Sequence, residues 1–505
     1  MSISAVGSQA AIAVQQIVNM RSQFDDLTRQ ISTGQKSDTY AGLGTGSGVT
    51  VGLNAQLSAI NGFDDSINIM STRVGLMSDA LSSMTDLGNT VQSAIDQANS
   101  ASNGIGAGLA QQTAQGALGQ LLDLLNTQSG NRYLFSGSAT DQPSVESLDH
   151  ILNGNGAQAG LTQLISERNQ ADLGADGLGR LAITSPSSTS VAVSEDSVSP
   201  FGFKLASVNS NLTNATVSGP SGSPASLSVD FSGGNPNAGD NITLSFNLPD
   251  GTSENLTLTA TTASPPGANQ FTIGATPADT AANFQTALTT SIGNLAATSL
   301  TAASAVAASN DFFDADADNP PQRVDGPPFD SATGMVAGTS ANTVIWYTGE
   351  DGSTPARDTA TARVDPSLVV SYGARANENG IRNLVQNVAT LAAVQISSSN
   401  PNANALSTAL NQRLTANLGN TSGGDSIADI QTQLAMAQNA ASAAQTQHQQ
   451  TSATLNDFLQ NITGVSNEEV GTELLTLQTR MQATMQATAM MFQTSLVNYL
   501  PTTGA

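Results

Sequence analysis

Apolar residues at both ends of the chain recur at alternating spacings of three and four residues. This spacing places them along one stripe of an α-helix and is typical of helices that pack on other helices. An apolar stripe left in water costs about 25 cal/mol per Å², so each helix needs a partner. The first helix, over residues 10–31, carries the N-terminal stripe, formed by Ile17, Met20, Phe24, Leu27 and Ile31.

The C-terminal end repeats this pattern in two helices. From 427 to 462 the three-four alternation continues over five heptads and includes His448. The break TGVSNEE (463–469) separates it from a last helix, which Ser466 or Asn467 can cap. The last helix carries the C-terminal apolar residues, which are Leu474, Leu477, Met481, Met485, Thr488, Met491, Phe492, Leu496 and Tyr499.

The first and last helices are therefore predicted to form an assembly interface through the N-terminal stripe and the C-terminal apolar residues. Their stripes extend past any evident partner within the chain, so they must pair with each other, with neighbouring subunits, or with both. Between them, the first helix stops at Gly34 and the glycine-rich segment 41–52 predicts a flexible loop. A long helix over 53–91 and a third near 109–128 follow.

The middle of the chain, from about 180 to 370, follows the period of β-strands. Residues 242–261 alternate apolar and polar around Asp250-Gly251, which predicts a β-hairpin. TPADTAANFQTALTTSIG (276–293) predicts a capped helix that buries Ala281, Phe284, Leu288 and Ile292. Further strands are predicted at 270–275, at 344–349, where Trp346 is read as a core residue, and at 367–373.

These patterns predict an α+β multidomain fold. In it, both termini form a long coiled-coil helical bundle, and a β-rich (α+β) insert occupies the centre. The insert is expected to be one or two small domains placed between the helical halves.

Composition excludes several functional classes. The 505 residues have a net charge of −24 and only two lysines, so binding of nucleic acid through phosphate neutralisation is not expected. No run of about 18 apolar residues occurs, so membrane insertion is not expected either. The first residues lack the basic region of a secretory signal peptide. The absence of cysteine excludes disulfides and thiol chemistry.

Motifs that could support chemistry match known sites only in part. DADADNPPQRVD (314–325) has the aspartate spacing of a calcium loop, but Asn319 stands where the turn requires glycine, which favours a solvated acidic linker. GLGTGSG (42–48) follows no strand, so an interhelical loop is favoured over a phosphate cradle. His448 and His150 lack a second histidine or a nucleophile nearby. We expect no enzymatic activity, no catalytic residue, no cofactor and no metal.

The two ends resemble one known family. ISTGQK (31–36), the glycine-rich loop and NAQLSAINGFDDSINIMSTRVGLMSDALSSM (54–84) resemble the N-terminal domain of bacterial flagellins. ELLTLQTRMQATMQATAMMFQTSLVNYL (473–500) is similar to the C-terminal domain of that family. The matches cover about 140 residues at one end and 80 at the other.

The resemblance implies a non-enzymatic structural subunit of the flagellum, with domains 1–140 (N-terminal helical), 141–375 (variable, surface-exposed and β-rich) and 376–505 (C-terminal helical). It implies an extracellular location, reached through the type III export apparatus without a cleavable signal peptide, with termini unfolded until assembly. The implied partners are copies of the chain, other axial proteins (hook-associated proteins and flagellin), the export apparatus and a chaperone.

Within the family, three segments favour a hook-associated member. GNRYLFSGSATDQP (130–143), STGQ (32–35) and YGARANENGIR (372–382) are similar to the hook-filament junction proteins. MTDLGNTVQSAIDQAN (84–99) departs from the major-flagellin pattern, because Asp86 and Asn89 stand where that pattern has a basic helix surface. The first hypothesis is a junction subunit, the alternative is a flagellin that forms the filament itself, and a surface adhesin is the alternative of another class.

Overall fold

The computed structural model describes residues 3–100, 105–316, 318–396, 400–419 and 426–497. Over these residues the fold is α+β, as predicted. The helices are α1 (Ile3–Thr33), α2 (Ser47–Ser100), α3 (Ile105–Leu125), α4 (Leu148–Asn153), α5 (Leu161–Leu173), α6 (Pro277–Leu295), α7 (Thr301–Phe313), α8 (Asn379–Ala393), α9 (Ala403–Gly419), α10 (Ile427–Thr463) and α11 (Asn467–Val497).

The strands are short and cluster in the middle of the chain. They are β1 (Gln128–Ser129), β2 (Arg132–Tyr133), β3 (Leu181–Ser187), β4 (Ser190–Glu195), β5 (Lys204–Ser210), β6 (Thr216–Ser221), β7 (Ser226–Asp230), β8 (Asn241–Asn247), β9 (Ser253–Thr261), β10 (Gln270–Thr272), β11 (Gln322–Val324), β12 (Met335–Ala337), β13 (Thr361–Asp365) and β14 (Leu368–Ser371). Two sheets have four strands each, in the orders β3-β4-β7-β6 and β10-β9-β8-β5.

The described residues form two compact units. The first unit is drawn from Met1–Ile69, Arg363–Val369 and Asn439–Ala505, so it contains both α1 and α11. The second unit is drawn from Met70–Ala362 and Val370–Gln438 and contains both four-stranded sheets. The domain boundaries at 140 and 375 stay a prediction.

The predicted hairpin and capped helix are confirmed in the second unit. β8 and β9 pair antiparallel around Asp250, whose carboxylate accepts a bond of 3.0 Å from the backbone N–H of Thr252. Thr276 and Asp279 form a capping box at the start of α6, which satisfies two backbone N–H groups there. The four predicted α6 core residues are all buried. The strands predicted at 270–275 and 367–373 are present as β10 and β14.

Phe284 is central to the core of the second unit. Its ring centroid lies 5.6 Å from that of Phe231 on the loop after β7 and 5.2 Å from that of Phe271 on β10, both edge to face. All three side chains are fully buried. The aromatic contacts thus join helix α6 to both four-stranded sheets through one apolar cluster.

Buried ion pairs fix α5 within the same unit. Arg168 donates from Nε to Asp172 at 3.0 Å, and its Nη1 lies 3.5 Å from Asp311. Glu167 pairs with Arg323 on β11. Burial raises the pKa of Asp172, while the Arg168 charge and the N–H of Gly202 oppose that rise. These contacts keep polar side chains satisfied inside the fold.

Two local predictions are wrong. Residues 344–349 form no strand among the described residues and make only single bridges, such as Val145 with Tyr347. The apolar pattern there reflects burial of Trp346, whose Nε1 donates to the carbonyl of Phe313 at 3.0 Å. The glycine-rich segment 41–52 is not an open loop either, because a 3₁₀ turn over Tyr40–Gly46 leads directly into α2.

We expect Phe284→Ala to lower the free energy of unfolding of the second unit by about 3–5 kcal/mol, because it removes the ring that three elements share. Urea unfolding followed by the fluorescence of Trp346, the sole tryptophan and part of the same unit, measures the change. Thr286→Ala on the exposed side of α6 is the control. An equal loss of unfolding free energy in both variants would contradict this account of the core.

Candidate assembly interface

Helices α1 and α11 pack against each other in antiparallel orientation within the first unit. The Thr484 hydroxyl lies 4.0 Å from the sulfur of Met20, midway along both helices. After the end of α1, the N–H of Lys36 donates to the carbonyl of Thr463, just before α11 begins, at 2.7 Å. The first and last helices therefore cover at least part of each other's apolar stripe, as two of the three predicted arrangements require.

The two predicted breaks are hydrogen-bonded to one another and set the register of this pair. Gln35 and Gly464 form an antiparallel bridge, and the N–H of Val465 donates to the carbonyl of Gly34 at 3.1 Å. Gly34 has a φ of +68°, and a Cβ on Gly464 would lie 2.5 Å from the Gln460 carbonyl oxygen. Glycine is required at both places because neither backbone tolerates a side chain.

Arg29 holds the end of α1 to the loop that follows it. Its guanidinium donates to Asp26 at 2.6 Å, to Asp38 at 2.9 Å and to the carbonyl of Lys36 at 3.1 Å. Hydrogen bonding to Asp26 is the main reason that the pKa of Arg29 is raised. The contacts fix the chain direction after α1, and Ser466 caps α11 by accepting from the N–H of Glu469 at 3.3 Å.

The structure buries the predicted interface residues to different degrees. Leu477 and Thr488 are buried, and six more are half-buried, namely Ile17, Met20, Phe24, Leu27, Leu474 and Met481. Four are exposed, namely Ile31, Met485, Met491 and Phe492. The side chain of Leu496 and the whole of Tyr499 lie outside the described residues.

Two further residues belong to the pair but were not included among the predicted interface residues. Ala13 and Val470 are buried, and each continues the three-four spacing of its own helix. Ala13 has little apolar area, so hydrophobicity alone gives a weak signal there. Its spacing of four from Ile17 is the signal that could have identified it.

One part of each paired helix is free of charge. From Ile3 to Met20 and from Met481 to Val497 the sequence contains no acidic or basic residue, although the chain as a whole has a net charge of −24. The contact between Met20 and Thr484 places these two charge-free segments side by side. This part of the helix pair therefore lacks the charges that normally keep a surface helix solvated and separate from its neighbours.

Apolar side chains remain exposed on these charge-free segments. Ile12 is 58% exposed, Val14 50% and Val18 54% on α1. On α11, Met485 is 44% exposed and Phe492 52%. We call these five residues the outer apolar set. All five lie on the two charge-free segments, and such a concentration of exposed apolar residues marks a candidate interaction surface, whereas single exposed apolar residues are ordinary.

His448 forms a buried polar contact elsewhere in the first unit. It lies on α10, is 4% exposed, and its Nδ1 is 2.7 Å from an Asp64 oxygen on α2. Asp365 at the end of β13 is 3.9 Å from its Nε2. The pKa of Asp365 is lowered, mainly by the backbone N–H and hydroxyl of Ser367 and less by His448. The contact joins α2 to α10 and involves no nucleophile, consistent with a residue that sets register.

The second unit brings together the segments 130–143 and 372–382. Ser136 and Arg375 form an antiparallel bridge, and the N–H of Ala376 donates to the carbonyl of Phe135 at 2.8 Å. Arg375 also pairs with Glu350, while Glu378 accepts from the N–H of Arg375 at 2.9 Å. The two segments thus form one hydrogen-bonded site although most of the β-rich region separates them in sequence.

The acidic motif makes protein contacts of its own. Asp314 pairs with Arg382, and Asp316 accepts from the N–H groups of Asp318 and Asn319 at 2.9 and 2.6 Å. No group of three or more acidic or histidine side chains suited to a metal ion occurs in the part of the chain that the structure describes. Among the same residues, none of the helices has the length and apolarity to cross a membrane.

Comparison with known proteins gives no relative: no family model matches the chain, and no curated protein matches it.

A short bis-maleimide should crosslink the double variant Met20→Cys with Thr484→Cys within one chain, because the natural side chains touch and the natural chain has no cysteine. Non-reducing electrophoresis of dilute protein detects the faster-migrating form. The control is Val18→Cys with Thr484→Cys, in which one cysteine replaces an exposed residue of α1. Equal crosslinking of both pairs would show that α1 and α11 do not have this register.

Proposed function

We propose that this protein is a structural subunit of the bacterial flagellum that assembles through α1 and α11. The observation that carries the proposal is the outer apolar set on two charge-free helical segments of a chain with a net charge of −24. Such a surface lowers the solubility of a free subunit and gains free energy when another apolar surface covers it.

A second copy of the same chain supplies the best matching partner. Charged partners gain nothing from segments that have no charge, whereas another α1–α11 pair offers the same small and flexible side chains. We infer that the pairs of neighbouring subunits associate side by side, and that the long coiled-coil bundle is completed between copies. Other axial proteins of the flagellum are then partners at the ends of such an array.

The place proposed for the subunit is the hook-filament junction. The resemblance that suggests it includes the segments 130–143 and 372–382, and these lie against one another in the second unit. A resemblance on two distant segments gains weight when the fold joins them in one site. Export by the flagellar type III apparatus, with the help of a chaperone, and an extracellular location belong to the same proposal.

We expect Val18→Asp to raise the protein concentration needed for assembly about tenfold or more, because a carboxylate then replaces an apolar contact between subunits. Val18 is 54% exposed in the single chain, so the substitution should change the free energy of unfolding by less than about 0.5 kcal/mol. Light scattering and electron microscopy measure assembly, and circular dichroism measures folding.

The matched control is Val198→Asp, the same chemical change at an exposed valine of the second unit. It should assemble as the natural chain does. If Val18→Asp assembled at the same protein concentration as the natural chain, the proposal would lose its basis.

The position of the subunit is expected to show as a narrow band of label at the distal end of the hook, in immuno-electron microscopy with an antibody against the second unit. Label along the whole filament would instead assign the chain as a filament-forming flagellin. Absence of label from flagella that are otherwise complete would reject both positions.

A further inference from the structure

The second unit contains an open cavity of about 430 Å³. Its walls come from the turn between β8 and β9 and from helices α7, α8 and α9. The residues that line it are predominantly polar, although three of its four walls are helices that pack in a protein interior. A cavity of this size accommodates a small organic molecule.

Each of the three helices contributes polar side chains to this cavity. On α8, Gln386 lies three positions after Asn383 and four after Arg382, so these lining residues share one face. Asn310 on α7 and Asn417 on α9 line it as well. Gln386 and Asn387 on the lining face of α8 are themselves buried, so this polar face is not simply the solvent side of a surface helix.

Contacts between the walls fix their positions. Arg413 of α9 donates to Asp250 in the β8–β9 turn at 2.9 Å, and both side chains are almost fully buried. Arg382 of α8 pairs with Asp314, which directly follows α7, and Gln386 donates to Asn310. Polar contacts therefore fix the walls in two pairs, α9 with the β8–β9 turn and α8 with α7.

The charges around the cavity cancel one another. Arg413 and Arg382 are matched by Asp250 and Asp314, so the lining is neutral in a chain whose net charge is −24. A charged ligand would have to break one of these pairs. The groups that remain accessible are amides, such as those of Asn383 and Asn417, and the carboxylate of Asp314, whose side chain is 72% exposed.

We propose that this cavity binds a small neutral polyhydroxy compound, such as a monosaccharide. Sugar hydroxyls donate to carboxylates and accept from amides, which is the pairing that this lining offers. None of the described lining residues is aromatic, so the ligand gains no stacking and its dissociation constant should be about 1 mM or weaker. The site is separate from α1 and α11, so its test and the assembly test succeed or fail independently.

The experiment uses the full chain and saturation-transfer NMR with glucose, galactose, N-acetylglucosamine and glycerol, alongside acetate and glycine as charged comparators. Ala416→Phe places a large side chain at the cavity wall without removing a polar group and should weaken binding about tenfold or more. Gln412→Phe on the same helix, an exposed position outside the lining, is the matched control.

Loss of a single hydrogen-bonding amide should have a smaller effect. Asn383→Ala is expected to weaken binding roughly two- to tenfold, and Asn404→Ala, at an exposed asparagine of α9 outside the lining, should leave it unchanged. Saturable binding of at least one neutral probe with these variant effects supports the site. No binding up to about 50 mM, binding unaffected by Ala416→Phe, or preference for acetate or glycine overturns it.

Discussion

The apolar stripe of α1 has to be covered, and the helix that covers it in the first unit is α11, the last helix of the chain. A single amphipathic helix in water is marginal, because helical order comes mostly from burial of its apolar face. The register of this pair depends on the hydrogen-bonded breaks around Gly34 and Gly464. Packing of α1 on α11 buries one face of each helix and leaves the other faces in solvent. The outer apolar set is exposed because of this arrangement.

Polar contacts between helices fix their alignment where few large apolar side chains lie between them. α2 and α10 meet through small residues and through amides, as in the contacts of Gln438 with Ser71 at 3.0 Å in the second unit. In the first unit the contact of His448 with Asp64 has the same effect. A shift of one helix by a turn would leave such buried groups unpaired, which costs about 1–3 kcal/mol each. Alanine-rich helices have few large side chains to fix their alignment, so these polar pairs supply it.

Local signals predicted the parts of the fold that form from neighbouring residues. The Asp250-Gly251 hairpin depends on one continuous segment, 242–261, and the capping box of α6 on Thr276 and Asp279, and both are present. Trp346 shows the limit of this reasoning: a short apolar run is compatible with a strand or with a buried irregular segment, and periodicity does not distinguish them. The seam of the first and last helices was readable because its spacing is regular, whereas Ala13 was missed because its side chain is small. The polar cavity had no sequence signal, since its walls come from distant segments whose charges pair only after folding.

The position of α1 and α11 at opposite ends of the sequence has a consequence for timing. A ribosome makes α1 before α11, so α1 has no partner from its own chain until α11 has been made. A truncated product that ends before α11 has only half of the pair. The apolar stripe of α1 then stays uncovered, so the order of the two helices in the sequence delays formation of the pair.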